Sequence, residues 1–86
     1  MLQIGFGAAI AALSKGKRVS RSGWNGKGMF LFQVGGGAWD FECDVPGVDG
    51  LSTLPFICMK TADACLVPWL ASQTDVLAQD YVILED

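Results

Sequence analysis

Apolar and polar positions alternate along this chain with two different periods, and the switches between them lay out the elements. Leu2, Phe6, Ala9, Ile10 and Leu13 recur at helical spacing, so residues 3 to 15 are predicted as an amphipathic helix, with Gly16 placed to stop it. Gly5 and Gly7 weaken its first turn or admit a second backbone. Val19 to Trp24 reads as a short strand, Asn25-Gly26 as a hairpin turn and Met29 to Val34 as the return strand. After Gly35-Gly36-Gly37, residues 38 to 43 alternate, with Trp39, Phe41 and Cys43 on one face and Asp40, Glu42 and Asp44 on the other. Residues 44 to 55, with two prolines, two glycines and two aspartates, read as a long loop. Phe56 to Lys60 is a strand, Thr61-Ala62-Asp63 a turn, and Cys65-Leu66-Val67 a short strand ended by Pro68. A helix from about Ser72 to Gln79 and a last strand, Tyr81 to Leu84, complete the pattern. The expected fold is a single α+β domain spanning 1 to 86, a small, mostly antiparallel β-sheet with two α-helices.

Composition changes this picture in one respect. A domain near this size buries only about 60% of the surface its unfolded chain exposes. Yet 51% of the 86 residues are hydrophobic, 17% are charged, and the mean hydropathy is positive. Part of the apolar surface is therefore expected in a subunit interface, which points to a homo-oligomer. Lys15 and Lys17 end the apolar start well short of the ~20 residues a membrane span needs. No basic residue precedes that stretch as in a signal peptide. No membrane partner is expected. Cys43, Cys58 and Cys65 are odd in number and lack C-x-x-C spacing, which fits buried, reduced thiols better than a zinc site or a disulfide scaffold.

A net charge of −3 argues against a DNA or RNA polymer as partner, while leaving room for a small nucleotide that needs one or two local cations. Lys15, Lys17, Arg18 and Arg21 fall within seven positions. A solvated helix end accounts for Lys15 and Lys17, but not for Arg21 or Lys27. The absence of histidine removes the commonest general base and metal ligand, so binding is favoured over catalysis. No catalytic residue, metal or cofactor is indicated.

Two clusters carry candidate binding chemistry. The first, Arg21-Ser22-Gly23-Trp24-Asn25-Gly26-Lys27-Gly28, is a glycine-rich hairpin tip with two cations, an amide and an aromatic. Asn25-Gly26 is equally well explained as a plain turn, and Trp24 as packing. The second joins Thr61 and Asp63 to Pro68 through Asp75. There a proline and Trp69 precede the helix start, and Ser72, Gln73, Thr74 and Asp75 crowd the first turn. A helix N-terminus offers free N–H donors to an anion, and Trp a face for a flat ring. The competing reading makes Ser72 and Asp75 a capping box, Trp69 core, and Thr61 and Asp63 an ordinary turn. Leu70, Ala71, Val76 and Leu77 are expected in the core.

Continued to Leu31, the first cluster, together with Met59 to Asp63 and Val67 to Ala78, resembles a family of small phage proteins, the second group of Thoeris anti-defence proteins. The resemblance spans nearly the whole chain except the loop around residues 35 to 55. It implies a sponge. Such a protein binds and sequesters, without cleaving, a glycocyclic ADP-ribose signal made by a TIR-domain defence enzyme, in the cytoplasm of the infected bacterial host. It also implies a homotetramer with pockets at subunit contacts; some members take up cyclic dinucleotides at a second site. Carried over, Trp24 and Trp69 would wall in adenine and ribose, and Arg21 and Lys27 would neutralise the pyrophosphate, which Asn25 and Gly26 would hydrogen-bond. Thr61, Asp63, Ser72, Gln73, Thr74 and Asp75 would hold sugar hydroxyls and the base edge. Ala64 and Tyr81 stand where the family more often has Gly and Trp. A nucleotide-processing enzyme and a protein-binding inhibitor or structural module are the alternatives.

Overall fold

The computed structural model describes residues 2–24, 28–37, 46–47 and 54–84. Within them lie α1 (Phe6–Ser14), β1 (Arg18–Arg21), β2 (Phe30–Val34), β3 (Phe56–Lys60), β4 (Leu66–Pro68), α2 (Gln73–Leu77) and β5 (Tyr81–Leu84). The strands form one five-stranded antiparallel sheet in the order β4-β3-β2-β1-β5, an α+β arrangement as expected. The Asn25-Gly26 turn, the strand over 38 to 43, most of the loop over 44 to 55, and Cys43 lie outside the described residues.

Alternation along each strand sends every second side chain to the same face. Val19 pairs with Leu31 on one side and Ile83 on the other, and Leu31 with Met59, so one apolar row crosses the sheet. Helix α1 packs on β1, β2 and β5. Its Ala9, Ala12 and Leu13 form the core with Val19, Leu31 and Tyr81, flanked by partly buried Phe6, Trp24 and Trp69 among others. The helix ends as the sequence predicts. Gly16 takes φ +84°, its N–H reaches the Leu13 carbonyl, and the Lys17 N–H reaches that of Ala12, a complete Schellman motif. On the opposite face Arg18 and Lys60 lie 5.1 and 5.5 Å from the centroid of the Phe30 ring.

Three expectations are corrected. The first helix begins at Phe6, because Ile4 pairs with Tyr81 through two backbone hydrogen bonds and holds the chain extended as far as Gly5. Leu2 is consequently exposed rather than part of the helix face. Leu70, Val76 and Leu77 are not core: they are 91%, 43% and 73% exposed. With α1 already covering β1, β2 and β5, the five-residue α2 leans on α1 instead and buries none of its own residues. Finally, the thiols differ. Cys58 is buried, and desolvation pushes its pKa up, whereas Cys65 is exposed. Pro68 closes β4 as its last residue, tolerated because β4 is a sheet edge.

Candidate functional site at the hairpin tip and the second helix

The β1–β2 hairpin tip, the β3–β4 turn and the start of β5 share one end of the sheet, since Phe30 pairs with Lys60 and Arg21 with Tyr81. Arg21 lies on the same face as Val19, the face covered by α1, and points toward α2. Its Nη1 donates to Asp75 Oδ1 at 2.7 Å, and its Nε to Asp80 Oδ1 at 2.9 Å. The guanidinium carbon also lies 5.8 Å from the centroid of the Tyr81 ring. The hydrogen bond to Asp80 is the main reason that the Arg21 pKa rises further above its ordinary value. Reciprocally, Arg21 holds the Asp80 carboxyl below the usual carboxylate range. At Asp75 burial pushes upward, but hydrogen bonds from Ser72 and Arg21 outweigh it and leave the carboxyl below its ordinary value.

The start of α2 forms the capping box read from the sequence. Ser72 Oγ accepts from the Asp75 N–H at 3.2 Å, and Asp75 Oδ2 accepts from the Ser72 N–H at 2.9 Å. Ser72 Oγ also lies 2.8 Å from Thr74 Oγ1. This N-terminus thus carries a carboxylate of its own. Tyr81, fully buried, donates its hydroxyl to the Asp75 carbonyl at 2.6 Å, which fixes the helix from below.

Arg21, Ser72, Thr74 and Asp75 are therefore joined in one hydrogen-bonded group, beside exposed Gln73. Trp24 and Trp69 are each partly buried against the core, and the Trp69 ring lies 6.5 Å from that of Phe6. Thr61 and Asp63 remain apart from this group. Thr61 Oγ1 bonds Asp63 and the Cys65 backbone within its own turn, and the bond from Thr61 lowers the Asp63 pKa. Asn25, Gly26 and Lys27 lie outside the described residues. Ala64 adopts φ +67°, the left-handed conformation that a glycine takes without strain. Among the described residues, no group of three or more His, Cys, Asp or Glu side chains could hold a metal ion. No described helix is long and apolar enough to cross a membrane.

Sequence reasoning missed Asp80. Besides Arg21, it accepts from the Gly23 N–H at 2.9 Å through Oδ2, while its backbone carbonyl accepts from the Ser22 N–H. It stands next to a predicted strand with no local pattern to mark it, because its side-chain partners come from a distant part of the chain.

Comparison with known proteins places this arrangement in a family. The Thoeris anti-defense 2-like domain matches residues 4–84. A protein of Bacillus phage SP01 named Thoeris anti-defense 2 is 40% identical over 85 residues, covering 95% of this chain and 96% of the relative. The match takes in both clusters, the helix before them and the strand after them, and the chain belongs to the Thoeris anti-defence 2 family.

Proposed function

We propose that this chain is a phage anti-defence protein directed against Thoeris. In this reading it binds and holds a glycocyclic ADP-ribose signal made by a TIR-domain defence enzyme, in the cytoplasm of the infected host. It does not cleave the signal, so the effector that the signal would switch on stays off. Family membership supports the anti-Thoeris role. The observation that carries the binding reading is that the two sequence clusters meet: Arg21 of the hairpin bonds Asp75 of α2 at 2.7 Å.

Within that site Trp24 and Trp69 wall in the adenine and ribose, each having one side against the core and part of its surface in solvent. Lys27 neutralises the pyrophosphate, which Asn25 and Gly26 hydrogen-bond, while Arg21, its Nε and Nη1 already given to Asp80 and Asp75, holds the wall of the site. Gln73, Thr74 and Ser72 reach sugar hydroxyls and the base edge, and the site extends to Thr61 and Asp63, which bond within their own turn and not to this group. Both Asp75 oxygens already accept hydrogen bonds, which suits a residue that shapes the wall. The site is completed in a homo-oligomer, a tetramer. Exposed Leu66, Val67, Leu70, Val76 and Leu77, in β4, α2 and the segment that joins them, supply apolar surface for a second copy.

The test is titration of the protein with a glycocyclic ADP-ribose, followed by denaturation and mass spectrometry of the released nucleotide. Intact nucleotide is expected, and recovery of hydrolysed product would replace the sponge with an enzyme. Cyclic dinucleotides belong in the same titration as candidates for a second site. Trp69→Ala should abolish binding while the oligomer persists; loss of fold and oligomer together would make Trp69 a core residue only.

A further inference from the structure

The hairpin tip leaving β1 is fastened by side chains from other elements. At its start the Ser22 N–H donates to the Asp80 carbonyl and the Gly23 N–H to Asp80 Oδ2, each at 2.9 Å. Gln3 Nε2 adds a bond to Ser22 Oγ at 3.0 Å. At its far end Lys60 Nζ donates to the Gly28 carbonyl at 3.1 Å. Asp80 differs from the other fasteners because it also reaches toward α2. Its second oxygen, Oδ1, accepts from Arg21 Nε, Arg21 Nη1 donates to Asp75 Oδ1, and Asp75 Oδ2 accepts from the Ser72 N–H. One unbroken run of hydrogen bonds thus links Gly23, Asp80, Arg21, Asp75 and Ser72.

Two features set this run apart from an ordinary surface ion pair. The Arg21, Asp75 and Asp80 side chains are only 19%, 15% and 25% exposed, and the planar guanidinium imposes directions as well as attraction. The tip also approaches Asp80 so closely that a Cβ at position 23 would sit 2.9 Å from Oδ2, so a larger residue there would push the carboxylate off its present position. A pair of this kind holds two segments at a fixed separation before any ligand arrives, and so reduces the ordering cost of binding.

We propose that Asp80 is a positioning residue of the nucleotide site: acting through Arg21 and Gly23, it holds the hairpin tip that carries Trp24 in register with the start of α2. This inference rests on the reading of the tip and α2 as walls of one site.

The experiment uses the full chain with Asp80→Ala and Asp80→Asn. Calorimetric titration with a glycocyclic ADP-ribose is run beside amide hydrogen exchange of the free proteins. Asp80→Ala should weaken binding about tenfold at an unchanged number of sites per chain. It should also speed exchange over residues 22–24 and 72–77 while α1 stays protected. Asp80→Asn, which keeps an acceptor for Gly23 but loses the charge, should fall between. Fewer sites at an unchanged Kd would mean that Asp80 serves folding alone, and would overturn the proposal, as would unchanged Kd and exchange. If Asp80→Ala does not fold, Asp80→Asn carries the same comparison. If the wild-type chain does not bind the nucleotide, the proposed function falls; exchange then decides the coupling, and unchanged protection in the Asp80 variants overturns it.

Discussion

The two helices are held by opposite kinds of force. Helix α1 has nine residues and no side-chain cap at its N-terminus, yet it buries Ala9, Ala12 and Leu13 against the sheet. Helix α2 has five residues and buries none, yet it carries a full capping box, an ion pair to Arg21 and the Tyr81 hydroxyl on the Asp75 carbonyl. Apolar burial is strong and tolerant of direction; polar contacts are weaker but fix position. The first helix therefore supplies stability. The second supplies shape, at the place where Arg21 of the first sequence cluster meets Asp75 of the second.

The largest expected effect tests the apolar half of this contrast. Leu13 is almost wholly buried, so Leu13→Ala should destabilise the domain by about 3 kcal/mol through lost burial and the cavity it leaves. Denaturant unfolding should show a lower midpoint at an unchanged slope. A loss no greater than that of a surface substitution would mean that α1 is not the anchor.

A smaller effect tests the polar half through pH. Asp75 and Asp80 have folded-state pKa values below their ordinary ones, so on acidification the unfolded chain takes up protons first. Their contribution is present above the ordinary Asp value of about 3.9 and is lost as pH falls through the lower folded values. Stability measured by urea unfolding should decline through this window, and the decline should be shallower in Arg21→Met, where the bonds from arginine that depress both carboxyls are gone. Equal declines in the two proteins would remove Arg21 from the account of α2.

The smallest effect concerns the turn that leads into β4. Ala64 at φ +67° occupies a conformation that costs an L-residue roughly 1–2 kcal/mol, part of which glycine's greater freedom in the unfolded chain offsets. Ala64→Gly should raise stability by up to about 1 kcal/mol, seen as a higher thermal midpoint. A lower midpoint would show that the turn is held firmly enough for the alanine to be unstrained.

What the sequence determined by itself is whatever closes within a few residues. The Gly16 stop, the Ser72 and Asp75 capping box, the Thr61 turn and the strands from Phe56 and Tyr81 are all completed by near neighbours or by simple alternation. Both clusters were legible too, as was the family they resemble. The tertiary structure alone decided how those clusters connect, because Arg21 and Asp80 stand 59 positions apart and neither side chain announces the other. It also decided that Leu70, Val76 and Leu77 stay exposed, because the room on a sheet face depends on what else packs there. Likewise the chain before Phe6 is extended because Tyr81, at the far end of the sequence, supplies its hydrogen bonds. Local geometry is written in local chemistry; the competition for a surface and the choice of a distant partner exist only once the chain has folded.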